Sequence, residues 1–304
     1  MTRTLLRLIV TALTTIPLAA CAGVPNSADF SYHASKLERY ALWSQALYRG
    51  GSALPDNGEM FVVRYGGLLG PSRTKYLLVT DDDTRTHSVV IQGTGTVQNF
   101  GIGVDMVPSW DARLGMHLHS GFRQMALAVY RDLVPRLKDG YSVSLGGHSA
   151  GGAAAQIVGM YLASDRTINE IYTFGQPKFA DAGATTSNAL LQDRTVRVVN
   201  CDDAIPLFPT PGLSASWLTG RYEHAGPVIY LAEDGRVWYS DRDVDLFDLD
   251  GIAKNVVRDM LTGKPFQAHL IETYLERIRG VREDPQAATY GDTKAICRSE
   301  PYHL

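Results

Sequence analysis

Gly147-His148-Ser149-Ala150-Gly151-Gly152 follows a β-rich run, Tyr141–Leu145, and opens a stretch of small residues reaching about Ala163. A Gly-x-Ser-x-Gly set between a strand and a helix makes a very sharp turn, so the positions two before and two after the serine must lack bulk. Gly147 and Gly151 meet that demand. Such a turn exposes the Ser149 hydroxyl, and the helix behind it offers its first N–H groups, that of Ala150 leading, to a developing oxyanion. A hydroxyl needs a base, and the base needs a carboxylate to fix its tautomer. On sheets of this kind the chain order is serine, acid, histidine. Asp202 and Asp203 directly follow the β-rich run Thr195–Asn200. Neighbouring side chains of an extended segment point opposite ways, so one of the two can face the base.

Three histidines lie beyond Asp203. His303 is next to last in a polar tail and is expected to be inert. His224 enters a hairpin strand, where it is either a structural residue or the base. His269 opens the apolar helix face of Leu270, Ile271, Tyr274, Leu275 and Ile278, from which it can reach the strand ends, and it is the favoured base. His117 and His119 are two apart without an acid or cysteine cluster, so no metal is expected. The chemistry requires no organic cofactor.

These residues need a scaffold. A helical spacing covers Ala34–Tyr48, and short β-rich runs follow at Phe61–Tyr65, Tyr76–Thr80 and Val89–Gln92. Helical stretches are predicted at about Gly121–Lys138 and Ala150–Ala163, with strands at Ile171–Phe174 and Thr195–Asn200. A hairpin joins Pro227–Leu231 to Val237–Ser240, and two more helices are expected at Val244–Leu261 and Phe266–Ile278. Strands alternating with helices predict an α/β fold: a central, mostly parallel sheet covered by helices on both faces, in a single domain.

Composition narrows the class. With 29 Lys and Arg against 32 Asp and Glu, the net charge is −3, which demotes a phosphate-tracking nucleic-acid binder. No apolar run reaches the roughly 18 residues of a spanning helix. The first residues read as an address instead. Arg3 and Arg7 precede the uncharged stretch Leu8–Ala20, which ends in small residues, as an export signal does. Residues 1–20 are thus expected to be a signal peptide, 21–33 a linker, 34–280 the folded domain and 281–304 a tail. Removing Cys21 leaves Cys201 and Cys297, which an oxidising compartment permits to pair.

Leu18-Ala19-Ala20-Cys21 resembles a bacterial lipoprotein signal box. That resemblance implies an acylated Cys21 and attachment to the cell envelope, with Ala22 in the next position pointing to the outer membrane. Several acyl chains together anchor a protein stably.

The ordered motifs of the domain resemble the class 3, fungal-type lipase family of the α/β-hydrolase superfamily, over roughly Ala34 to Ile278. Val90-Ile91-Gln92-Gly93-Thr94 is similar to the family's hydrophobic strand ending in Arg-Gly-Ser or Arg-Gly-Thr, whose last residue supplies an oxyanion N–H. His119-Ser120-Gly121-Phe122 resembles Val-His-x-Gly-Phe, with Leu118 for Val. Gly147 to Gly152 resembles Gly-His-Ser-Leu-Gly-Gly, and Thr173-Phe174-Gly175-Gln176-Pro177 matches Thr-Phe-Gly-x-Pro. Val199-Asn200-Cys201-Asp202-Asp203-Ala204-Ile205-Pro206 resembles Val-Asn-x-Asn-Asp-Pro-Val-Pro, which assigns the acid to Asp203. Tyr222 to Gly226 looks like a Tyr-x-His-x-Gly block that is not catalytic in the family, which supports His269 over His224.

The resemblance implies carboxylic-ester hydrolysis on lipid esters through Ser149, Asp203 and His269, with Thr94 and Ala150 as oxyanion donors. A phospholipase or another acyl hydrolase or transferase would use the same set. A membrane-tethered binding protein without turnover is the reading outside enzymes. Residues 98–104 fall where the fungal enzymes carry a short helical lid, and Gly101 and Gly103 each weaken a helix by roughly 1 kcal/mol. Weak activation at an oil–water interface is therefore expected.

Overall fold

In the computed structural model the described residues are 27–67, 70–94, 107–181, 188–209, 222–240 and 267–283. The site is carried by a sheet of eight strands. Its antiparallel flank is β1 (Gly58–Gly67), β2 (Gly70–Asp81) and β3 (Thr86–Ile91). From β3 the sheet runs parallel through β6 (Ser142–His148), β7 (Ile168–Phe174), β9 (Thr195–Asn200) and β11 (Val228–Leu231), and β12 (Val237–Ser240) closes it antiparallel. The central strands are buried almost end to end, β9 at every residue, as expected for a sheet covered on both faces.

Helices cover both faces. On one lie α2 (Ser120–Leu133) and α3 (Ala150–Leu162), packed with Val89, Ile91, Val143, Leu145 and Ile171. Every residue of α3 is buried. Its alanines and glycines let it sit close to the sheet: a Cβ at Gly159 would stand 2.8 Å from Ile171 Cδ1. On the other face lie α1 (Ser27–Tyr48) and α5 (Ile271–Glu283), packed on Leu77, Val90, Tyr172, Phe174 and Val198. They run antiparallel, since Glu38 pairs with Arg279 while Arg49 pairs with Glu272. The short α4 (Ala189–Arg194) leads into β9.

The expected α/β fold is the one observed, with shifted boundaries. α1 begins at Ser27, seven residues before Ala34, so 27–33 are helix and not linker. α2 stops at Leu133 and continues as a 3-10 turn, Val134–Arg136, because Pro135 has no N–H to extend the helix. His269 closes a 3-10 turn, Gln267–His269, ahead of α5, and α5 runs to Glu283, past residue 280. A second small sheet is additional to the expected strands. It joins β10 (Tyr222–Glu223), β8 (Ala180–Asp181), β5 (Met116–His119) and β4 (Pro108–Asp111) in that order. The helix expected at 244–261 lies outside the described residues.

Candidate active site

The elbow is built from backbone strain and missing side chains. Ser149, between β6 and α3, has φ +58° and ψ −132°. A left-handed φ in a residue with a Cβ costs about 1–3 kcal/mol and persists only where the surroundings enforce it. Here its N–H donates to the Phe174 carbonyl at 2.8 Å, and its own carbonyl accepts from Gly152 N at 2.9 Å. A Cβ at Gly147 would stand 2.8 Å from Gly152 N, and one at Gly151 would stand 2.7 Å from the Gln92 carbonyl carbon. The glycine spacing is thus steric. A Cβ at Gly93 would lie 2.9 Å from Ser149 Cβ, so the end of the β3 segment abuts the serine, and the half-buried Thr94 follows at once. Ala150 is the first residue of α3, where a helix N–H has no partner four residues back.

The candidate acid and base come from a later part of the chain. Asp203 turns inward after β9 and is held by Ile205 N–H, which donates to Oδ1 at 2.9 Å. Its Oδ2 accepts from His269 Nδ1 at 2.7 Å and from the Tyr274 hydroxyl at 2.6 Å. The His269 and Asp203 side chains are 1% and 0% exposed, so this hydrogen-bonded pair is screened from water. Burial, and after it the Asp203 charge, pushes the Tyr274 phenol well above its ordinary pKa, which keeps it a donor. The turn bearing His269 is fixed through its backbone: Asn200 Nδ2 donates to the Ala268 carbonyl at 2.7 Å. The His269 ring lies 4.7 Å, centroid to centroid, from that of His148, the residue next to Ser149. Gly175, at φ +57°, closes the space between elbow and pair: a Cβ there would stand 2.8 Å from Asp203 Oδ2 and 2.9 Å from His269 Nδ1.

The two adjacent aspartates part company as alternation requires. Asp202 points outward and makes a two-pronged ion pair with Arg277 of α5, at 2.6 and 3.0 Å. His224 is engaged elsewhere, its Nε2 donating to the Pro206 carbonyl at 2.7 Å. His117 meets Asp181 across the small sheet at 2.9 Å. Among the described residues no group of three His, Cys, Asp or Glu side chains could hold a metal ion. Cys201 is disulfide-bonded; Cys21 and Cys297 both lie outside the described residues, as do the segment 98–104 and His303. Sequence reasoning placed Tyr274 on an apolar helix face and gave His148 no task. A tyrosine five residues after the favoured histidine was the available signal.

Residues 88–212, from β3 through the Asp203 turn, match the family described as Lipase (class 3). The secreted mono- and diacylglycerol lipase 1 of Fusarium solani is 24% identical over 240 residues, 75% of this chain and 68% of that protein. A lipase of Rhizomucor miehei is 26% identical over 176 residues; this covers 53% of the chain, which spans under half (46%) of that protein. The structure of the Rhizomucor miehei lipase–propeptide complex superposes with a TM-score of 0.53 at 21% identity, over 68% of this chain and 70% of that one, a likeness of fold. Over residues 88–212 the chain is similar to the class 3 lipases, and its fold is the α/β-hydrolase fold of the solved fungal lipases.

Proposed function

We propose that the protein hydrolyses carboxylic esters of lipids through a Ser149 acyl-enzyme. The observation that carries this reading is the buried Asp203–His269 pair beside a serine held at a strained elbow. Asp203 accepts the Nδ1 hydrogen of His269, which leaves the Nε2 lone pair as the base. His269 takes the Ser149 proton as Oγ attacks the ester carbonyl. The N–H groups of Thr94 and Ala150 stabilise the oxyanion, each worth roughly 3–4 kcal/mol by analogy with a related hydrolase. Collapse returns that proton to the departing alcohol, and water, deprotonated by His269, then releases the carboxylic acid. Neither a metal ion nor an organic cofactor enters these steps.

The test is labelling by a fluorophosphonate probe in wild type and Ser149→Ala, beside a series of p-nitrophenyl esters, acylglycerols and phospholipids. Labelling confined to wild type with acylglycerol turnover supports the reading. Preference for phospholipids makes the enzyme a phospholipase, and a folded wild type that takes no label is a binding protein.

Cys21, as an acylated N-terminus, would tether this enzyme to a bacterial envelope, the outer membrane by the Ala22 rule. Among the described residues no helix is long and apolar enough to cross a membrane. Radiolabelled palmitate should enter the wild type and not Cys21→Ala, and equal incorporation overturns the tether.

A further inference from the structure

His148 stands beside the serine, yet its side chain turns to the opposite face of the sheet, where it is 4% exposed. There its Nε2 lies 2.7 Å from the backbone oxygen of His269, and its Nδ1 lies 2.8 Å from the Tyr48 hydroxyl at the end of α1. The Tyr48 oxygen also receives the Gly93 N–H at 3.1 Å. These contacts fix every hydrogen. A carbonyl only accepts, so Nε2 carries the proton; a neutral imidazole then leaves Nδ1 bare, and Tyr48 must donate to it. The result is one directed chain: Gly93 N–H to Tyr48 O–H to His148 Nδ1, and Nε2–H to the His269 carbonyl.

Its two ends are functional. Gly93 precedes Thr94, the proposed oxyanion donor, and His269 is the proposed base. We infer that Tyr48 and His148 are a positioning couple that holds the oxyanion strand and the catalytic histidine in mutual register. Neither touches substrate. With Asn200 on the Ala268 carbonyl and His148 on that of His269, two successive backbone oxygens of the turn are clamped by side chains from β9 and β6. Neutrality of His148 is part of the device. A second hydrogen on its ring would confront Tyr48 with two donors and place a cation 4.7 Å from the imidazolium that His269 becomes in each cycle. Burial, and then the neighbouring His269, keeps the proton affinity of His148 well below the ordinary histidine value.

This inference rests on the ester-hydrolase reading, and one experiment separates their failures. Turnover of a short-chain p-nitrophenyl ester is measured for Tyr48→Phe, His148→Phe, the double variant and His148→Gln, normalised to sites titrated by fluorophosphonate. With a bond to the clamp lost, kcat should fall about tenfold in Tyr48→Phe and more in His148→Phe, with KM within about twofold. The double variant should match His148→Phe, because the links act as one chain. His148→Gln, which keeps a donor for the His269 carbonyl, should recover part of the loss. If kcat per titrated site stays within about twofold of wild type in both single variants, or the losses simply add, the residues only support packing and the inference falls. Imidazole 15N NMR of the wild type reads the tautomer independently of turnover. A hydrogen on His148 Nδ1 overturns the inference even in an active enzyme. An Nε2–H tautomer in a protein inert to ester and probe leaves the hydrogen-bond chain standing and defeats the function.

Discussion

The elbow around Ser149 and the candidate acid–base pair of Asp203 and His269 lie on the same edge of the sheet but are secured by different physics. Glycines at 93, 147 and 151 make the elbow possible by what they lack, within sixty residues of chain. The pair is secured by what its partners donate, across the 66 residues that separate acid from base. An elbow fails when atoms collide, so its faults should appear as lost stability. A buried hydrogen-bonded pair fails when charge or hydrogen is misplaced, so its faults should appear as lost rate in a folded protein.

Five substitutions test that contrast, and one titration stands outside it. Ser149→Ala removes the proposed nucleophile and should lower kcat by about 10⁴–10⁶-fold with the fold intact, as read by ester turnover and circular dichroism. Asp203→Asn should lower kcat about 10⁴-fold, the loss seen in a serine protease of like arrangement, with little change of unfolding midpoint. Asp202→Asn, which loosens only an outward pair with Arg277, should leave turnover within about twofold and cost at most about 1 kcal/mol. Should the two neighbours behave alike, the assignment of the acid collapses. Gly151→Ala drives a methyl group into the Ile91–Gln92 backbone and should cost more than about 3 kcal/mol in urea unfolding.

Tyr274→Phe deletes a bond to a buried carboxylate and should cost about 1.5–3 kcal/mol of transition-state stabilisation, seen in kcat with KM unchanged. The smallest effect concerns His87, at the far end of the sheet. Its ring is buried between Thr80 and the Lys138 N–H, and its pKa is lowered by burial first, then by Arg166 and Lys138. A histidine kept neutral by the fold contributes its stability fully above the unfolded value of 6.5 and loses it as pH falls toward the folded one. Wild-type stability should therefore decline below about pH 6.5, and more gently in His87→Gln, with ester turnover unaltered at pH 8. Parallel declines in the two proteins would remove His87 from the account.

How much of this was legible follows the same division. Strand, Gly-x-Ser-x-Gly and helix are contiguous, so local spacing carried the elbow, and alternation after β9 carried the choice between two aspartates once the family pattern was added. The small sheet was not legible: β4, β5, β8 and β10 are two to four residues long and pair across the chain, without a period long enough to read. Tyr274 and His148 escaped for a different reason. Their side chains fit an apolar helix face and a buried strand end, and only tertiary contact reveals the polar atoms each delivers. The seven extra residues of α1 follow from Phe30 finding the core alongside Leu37 and Tyr40.

Gly175 has a consequence for anyone reshaping this enzyme. The Thr-Phe-Gly-x-Pro block reads as scaffolding, yet its glycine is the wall against which carboxylate and imidazole rest. Even an alanine there would both resist the bend and wedge Asp203 and His269 apart. Libraries aimed at new substrates will find no room at position 175.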